Sequence, residues 1–483
     1  MKHRLIYLGL ILVIFGGFQG YTNREYYTDD AYIVLTVAKN AATGQGWAFN
    51  KGERINSSTY ALNTFVAIIA HWLFPSHVTD FMHVVSNLAL LAMALMLLHF
   101  LSKRVGSLAG FVCGLLFLID PVIRQSFGME TPLFLALAVA STISFDRDSK
   151  FTGLLLGLLI LARPDGVLLA GILIAVRLYK KRKLPWMEIA GLLLVLVPWL
   201  FFSTIYFHSV VPHTLQAKIA QGASGLWSGP ISFFGGFIHS LQLYFHEPVL
   251  AALILVFLAI PGGLTLLGIH SYFRWLPVWA AFHMGVYFLL GVPGYFWYFA
   301  PAFLVMDMAI GTGVLALSKF VQKKIPSTNK LIRNIGISAA AVAMTALLFM
   351  IVWNVSSTVL MDAPERIGTY REIGRWINSN TRPEVTVSSV EVGALGYFSE
   401  RRILCPYGLV SNPEVAKYLK IGTSLDWLGL LKPDILILRQ KMWDRNEAPL
   451  VDQEKLETRY RTIKTFGSLV LYERIDEKPI STD

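Results

Sequence analysis

The sequence predicts a polytopic α-helical membrane protein of about eleven transmembrane helices with a C-terminal extracytoplasmic α/β domain, on three observations. Apolar runs of about 18 to 25 residues recur up to about position 360, the length a helix needs to cross a hydrocarbon core. Of the 483 residues, 54% are hydrophobic and only 15% charged, against roughly 25% charged in soluble domains. From about Asp362 charges become frequent, and short apolar runs alternate with polar ones.

Taken in order, the chain opens with Lys2, His3 and Arg4 before an apolar core over 5–18. No small-x-small cleavage site follows, so an uncleaved first helix is expected. Basic clusters at Lys103/Arg104, Arg147/Lys150, Lys180 to Lys183, Arg274 and Lys319 to Arg333 mark cytoplasmic ends. Helices fitted between them fall near 5–22, 79–101, 106–121, 131–145, 151–163, 166–179, 187–207, 247–269, 275–291, 298–318 and 334–357. That odd number puts the N-terminus inside and the C-terminus outside. The apolar segment 59–74 then lies in the outer interface as an amphipathic helix. The net charge of +11 sits in these short clusters, an orientation signal that excludes a phosphate-binding stripe and a nucleic-acid partner. Cys113 and Cys405 are too few for a disulfide framework or metal cluster.

The boundaries expected are 1–360 for the membrane domain, with a first outer loop over 23–78, and 361–483 for the outer domain. In that loop Thr28 can cap a helix that begins at Asp29 and Asp30 and ends before Gly44. Its stripe of Ala31, Val34, Leu35, Ala38 and Ala41 predicts a helix lying along the membrane surface. In the outer domain a helix is expected over 365–378. The runs VTVSS, RRILC, DILIL and SLVLYE read as strands.

Candidate chemistry gathers in the outer loops. Asp29 and Asp30 stand side by side at a lipid–water boundary; one acid would serve the helix dipole, and the second is left for work as a base or ligand. Glu130 precedes a membrane helix. Arg163 and Asp165 flank Pro164 in LARPDG, where an ion pair would lock the turn. His213 and Lys218 suit a phosphate or anionic headgroup. Tyr295, Trp297 and Tyr298 offer rings for a sugar or an aromatic belt. In the outer domain Glu391, Tyr397 and Arg401 are candidate acceptor contacts. A transporter or flippase would instead keep its ionisable groups near the bilayer midplane; acids and cations on outer loops point to chemistry on a lipid-linked substrate.

These residues fall in DDAYIVLTVAKNAATGQGWAFNKGE (29–53), GMETPLF (128–134), ARPDG (162–166), PHTLQAK (212–218), WYFAP (297–301) and EVGALGYFSERRILCPYGL (391–409). In motif order and spacing the chain resembles the GT-C superfamily of lipid-phosphosugar-dependent glycosyltransferases, most nearly its bacterial terminal arabinofuranosyltransferase-like branch. The resemblance implies an inverting transferase in the bacterial cytoplasmic membrane. Its donor would be a polyprenyl-phosphate sugar, and its acceptor an envelope glycan or glycolipid on the outer face. An ArnT-like or mannosyl-type enzyme acting on lipid A or protein would share the fold. Asp29 or Asp30 would be the general base, with Glu130 assisting. Asp165 would also sit at that face, with Arg163 and Tyr298 beside the substrate, while His213 and Lys218 held the phosphate. A divalent cation (Mg, Mn or Ca) at Asp29 and Asp30 fits the resemblance, though spacing alone does not establish one; no other cofactor is expected. The stretch INSSTYALNT (55–64) departs from the family pattern, as does Cys405, which stands where an Asp is expected.

Overall fold

The computed structural model describes residues 2–224, 230–245, 249–268, 272–324, 349–350, 353, 366–411, 415, 418, 426–442 and 447–475. The expected span over 334–357 falls almost wholly outside them. The chain opens with α1 (Lys2–Thr22), α2 (Asp29–Ala42), α3 (Ala61–Leu73), α4 (Val78–Arg104) and α5 (Ser107–Ile119). There follow the one-turn α6 (Pro121–Arg124), α7 (Thr131–Asp146), α8 (Thr152–Ala162), α9 (Val167–Lys181), α10 (Trp186–Phe207) and α11 (His213–Ala223). The helical part closes with α12 (Pro230–Phe245), α13 (Val249–Gly268), α14 (Trp275–Leu290) and α15 (Ala300–Lys324).

Four helices among the described residues are long and apolar enough to cross a membrane: His3–Thr22, Val78–Arg104, Trp186–Phe207 and Ala300–Phe320. Lipid tails are as apolar as leucine side chains, so these helices associate by close backbone approach. The most extensive pair, α13 with α15, shows the device. A side chain at Gly262 or Gly313 would strike the Ala309 or Leu258 carbonyl of the facing helix. α10 packs chiefly on α8, where a side chain at Gly153 or Gly157 would strike the Glu188 or Leu192 carbonyl. Only 6% of its apolar window is buried, and Leu193, Leu194, Val197, Phe201 and Ile205 point outward. One polar pair is sealed within the bundle, where the Tyr244 hydroxyl donates to Asp307 Oδ1 at 2.5 Å.

Beyond the bundle a helix over 366–380 (α16) leads into β1 (Thr386–Ser388), α17 (Gly393–Ser399) and β2 (Arg402–Leu404). Then come α18 (Trp427–Leu431), β3 (Ile435–Arg439), α19 (Gln453–Arg459), β4 (Tyr460–Phe466) and β5 (Leu469–Arg474). The strands form one sheet ordered β2-β1-β3-β5-β4. β1 pairs in parallel with β2 and β3, and β5 runs antiparallel to β3 and β4. Central β3 is buried along four of its five residues, as a strand covered on both faces must be.

Edge strand β2 is blunted by the first loop. The Asn50 amide donates to the Ile403 carbonyl and accepts from the Ile403 N–H, both at 2.9 Å, so it replaces a missing ladder partner. Glu53 adds an ion pair to Arg402 at 2.7 Å, and Lys39 another to Glu400 at 2.5 Å. α17 meets α2 so closely that a side chain at Gly393 would collide with the Asp29 carbonyl.

Three expectations change. α2 is not the half-exposed amphipathic helix its apolar stripe predicts: it is buried on almost every side, wedged between α3 and α17, because the α/β unit covers the face that would otherwise meet solvent. Thr28 occupies the N-cap position, yet its hydroxyl makes no cap bond. α11, α12 and β4 were not legible. β4 has alternation broken by Arg461 and Lys464, since this edge strand exposes four of its seven positions.

Candidate functional site

Two helix starts and two loops converge on one cavity. Its lining includes Asp30, Val34, Ser57, Thr59, Tyr60 and Met129, together with Thr214, Lys218, Trp297 and Leu409, and its volume is about 40 Å³. The lining combines one carboxylate, one ammonium, hydroxyls and rings, the mixture expected of a polar ligand site in a mostly apolar wall.

The adjacent acids are not equivalent. Asp29 points away from the cavity, into the start of α17. Its Oδ2 accepts from the Val392 and Gly393 N–H groups at 3.0 and 2.8 Å, and its Oδ1 from the Ala394 N–H at 2.8 Å. These otherwise unmatched amides of a helix start are what a carboxylate satisfies. Burial first, then the Glu391 charge, pushes the Asp29 carboxyl up to about 8, against the pull of the Ala394 and Gly393 amides. Asp30 is the acid that reaches the cavity. Burial raises its proton affinity; the Lys218 charge opposes that, and the Glu391 charge adds to it.

Lys218 rises from α11 into an aromatic recess, its Nζ 4.9 Å from the ring centres of Tyr295 and Trp297 and 5.3 Å from that of Tyr298. Ring faces attract an ammonium that has lost much of its hydration. His213 does not line the cavity. Its Nδ1 accepts from the Asn56 N–H at 3.1 Å, burial holds the ring below its ordinary proton affinity, and next to it the Thr214 hydroxyl bonds that of Thr59. The start of α11 therefore fixes the departed stretch 55–64, and that stretch supplies Ser57, Thr59 and Tyr60 to the cavity.

Beneath the floor lies a buried charge cluster. Arg163 donates through NH1 to Glu130 Oε1 at 3.1 Å and through NH2 to Asp165 Oδ2 at 2.8 Å, so the pairing expected within LARPDG forms. Tyr287 donates to Asp165 Oδ2 at 2.9 Å. His283 donates to the Tyr298 carbonyl at 3.0 Å. Burial pushes Glu130 up to about 7, Arg163 opposing it, and its Oε2 has no hydrogen-bond partner among the described residues. Asp165 is held below the usual carboxylate range despite burial, chiefly by the Arg163 charge. Arg163, Asp165 and Glu130 thus underlie the cavity, with Met129 and Trp297 between.

Glu391 lies 3.5 Å from Arg366 and 3.9 Å from Arg439; its field reaches both first-loop acids, but the cavity lining does not include it. Tyr397 packs on Tyr32, and Arg401 is used up on the Asn378 and Thr381 carbonyls. Cys405 is buried and donates its N–H to Ser411 at 2.7 Å. Ser57, Thr59, Thr214 and Leu409 were missed as lining residues; the only signal for the first two was the departure of INSSTYALNT from the family pattern.

A divalent cation does not fit the paired acids. Both Asp29 oxygens face N–H donors, Asp30 already faces the Lys218 charge, and among the described residues no three His, Cys, Asp or Glu side chains gather to hold an ion.

Residues 362–481 match a family model described as a domain of unknown function, DUF8728. A terminal β-(1→2)-arabinofuranosyltransferase of Mycobacterium tuberculosis is 27% identical over 285 residues, covering 53% of this chain and 43% of that protein. The chain therefore spans under half the length of this curated relative. ArnT from Cupriavidus metallidurans, solved bound to undecaprenyl phosphate, superposes with a TM-score of 0.57 at 13% identity, covering 96% of this chain and 97% of that one. The Archaeoglobus fulgidus oligosaccharyltransferase AglB, solved with an inhibitory peptide and a dolichol-phosphate, gives 0.56 at 12% identity over 98% and 75% of the two chains. At these identities the superpositions show a shared fold: the fold of this chain is that of ArnT and AglB.

Proposed function

We propose that the protein is an inverting glycosyltransferase. It moves a sugar from polyprenyl phosphate to a hydroxyl of an envelope glycan or glycolipid, at the outer face of the bacterial cytoplasmic membrane. The observation that carries this reading is the pairing of Asp30 with Lys218 across one cavity while Asp29 is spent on backbone amides. Asp30 takes the proton of the acceptor hydroxyl, and the freed oxygen attacks the anomeric carbon from the side opposite the phosphate. The bond from that carbon to the phosphate oxygen breaks, and its electron pair leaves on polyprenyl phosphate. Lys218 neutralises the charge that appears there, so the groups needed are a base, a cation and fixed geometry. The cluster of Glu130, Arg163 and Asp165 keeps the floor rigid under Trp297 and Tyr298. The α/β unit supplies Leu409 to the wall and meets the acceptor beyond it.

The test is transfer in lipid nanodiscs from a panel of labelled polyprenyl-phosphate sugars to envelope extract. Label entering glycan with release of polyprenyl phosphate supports the reading. Movement of an intact lipid-linked glycan across the bilayer without bond cleavage would replace it with a transporter.

The pH profile adds a second check. Asp30 must be ionised to act, and burial raises its proton affinity. The acid limb of kcat/KM is therefore expected above the ordinary carboxylate value of about 3.9. Lys218 pulls that affinity down, so Lys218→Gln should move the limb to higher pH as well as slow the reaction. A limb unmoved by Lys218→Gln would separate the two groups.

A further inference from the structure

At the end of α10 remote from the cavity, the loops joining α7 to α8 and α9 to α10 enclose an open groove of about 440 Å³ that the proposed reaction does not use. Twenty-two residues of α10, about 33 Å of helix at 1.5 Å per residue, separate this groove from the cavity end. Its base is a closed ion network. Arg177 lies 2.7 Å from Asp148 and 2.5 Å from Glu188, and Lys181 lies 3.0 Å from Asp148. The Arg177 guanidinium also stacks 3.6 Å from the centre of the Phe145 ring. Two residues with positive φ hold the walls, Asp148 at 51° and Arg182 at 53°, a conformation non-glycine residues adopt only when their surroundings enforce it.

The lining has four cations, Lys150, Arg177, Lys181 and Lys183, against two carboxylates, an excess of two positive charges. The carboxylates are engaged with Arg177 and Lys181, so the excess falls on Lys150 and Lys183 at the rim. The mouth is apolar: Leu184, Trp186 and Met187 are exposed and continue onto the bare wall of α10. A cationic basin opening onto an apolar helix face matches one kind of molecule, an anion that carries its own acyl chains.

We propose that this groove binds the headgroup of an anionic phospholipid, its phosphate between Lys150 and Lys183 and its chains along α10. Basic pockets between helices at the membrane surface recognise such headgroups through charge, and an exposed Trp at their rim seats at headgroup depth. The site is separate from the donor phosphate site by the length of α10. It gives a reason for α10 to leave its outer face uncovered by protein.

Full-length protein purified in mild detergent, incubated with phosphatidylglycerol or phosphatidylcholine and examined by native mass spectrometry, tests this. The wild type is expected to retain phosphatidylglycerol preferentially. The Lys150→Ala/Lys183→Ala variant should lose about twenty-five-fold in affinity, each lysine being worth about fivefold at a charged surface. Lys103→Ala, in the last turn of α4, should match the wild type. Both variants keep the ion network, so thermal unfolding will report whether they fold. Equal retention of the two lipids, or retention unchanged in the double variant, would overturn the proposal. So would displacement of the lipid by millimolar inorganic phosphate, which would make the groove a plain anion site.

Discussion

Asp30→Asn is expected to lower sugar transfer by about 10²- to 10⁴-fold, the usual contribution of a general base, with no loss of thermal stability. The amide is isosteric, the side chain only lines a cavity, and removing a partly desolvated charge costs the fold nothing. Asp29→Asn should behave in the opposite way. Three N–H groups converge on its two oxygens, and an amide offers one acceptor oxygen while aiming its own donors at another donor. A buried N–H left without an acceptor costs about 1–3 kcal/mol, so the first effect should be a lower unfolding temperature and looser attachment of α17 to α2. Residual transfer should follow the folded fraction. Transfer assays beside thermal unfolding in detergent separate the two. Equal losses of activity with both proteins fully stable would mean that Asp29 also takes part in the chemistry.

The second large effect belongs to Arg163→Met. The Arg163 side chain is 2% exposed, and it neutralises Glu130 and Asp165 at 0% and 9%. Losing the cation strands two buried carboxylates, a cost of about 3–5 kcal/mol. At about 2.1 cal/mol/K per residue, that is a fall of about 3–5 °C in Tm for a chain of 483 residues unfolding as one unit. The triple variant Arg163→Met/Glu130→Gln/Asp165→Asn should recover most of that stability, because a neutral, hydrogen-bonded cluster carries no unpaired charge. Its transfer rate should stay low if the cluster's rigidity holds Trp297 and Tyr298. Full stability of the single variant, measured by the same unfolding assay, would show that water reaches the cluster.

How far the sequence foretells this arrangement depends on the kind of signal. Long helices such as α4 and α10 are legible because twenty apolar residues leave a chain few alternatives to a helix in a membrane. The strand β3 is legible for a similar reason, as ILIL over 435–438 has nowhere to sit but inside a sheet. β4 is not, because an edge strand carries solvent-facing Arg461 and Lys464 and so reads as a loop. α11 and α12 were hidden by composition: Gln216, Lys218 and Gln221 dilute the first, and Gly235, Gly236 and Ser240 the second.

At the site, Asp29 and Asp30 attract notice as a pair, and nothing local in the sequence divides their work. That division comes from residues 392–394, more than 350 positions away. Likewise, Arg163 and Asp165 are two residues apart and read as a pair, whereas the contact of Arg163 with Glu130 spans 33 positions and exists only in the folded bundle.

The seam between the first loop and the α/β unit has a consequence for how such a chain can change over evolution. Asp29 meets the amides of 392–394, Asn50 completes the ladder at Ile403, and Glu53 and Lys39 meet Arg402 and Glu400. The stretches 29–53 and 391–403 are thus lock and key to one another, and the seam runs beside the cavity that Asp30 lines. A graft of the C-terminal unit from a relative, made alone, would leave Asp29 and Asn50 facing amides and a sheet edge that were not shaped to meet them. The two stretches can be exchanged only together, so drift in one must be answered in the other before either can be tuned to a new acceptor.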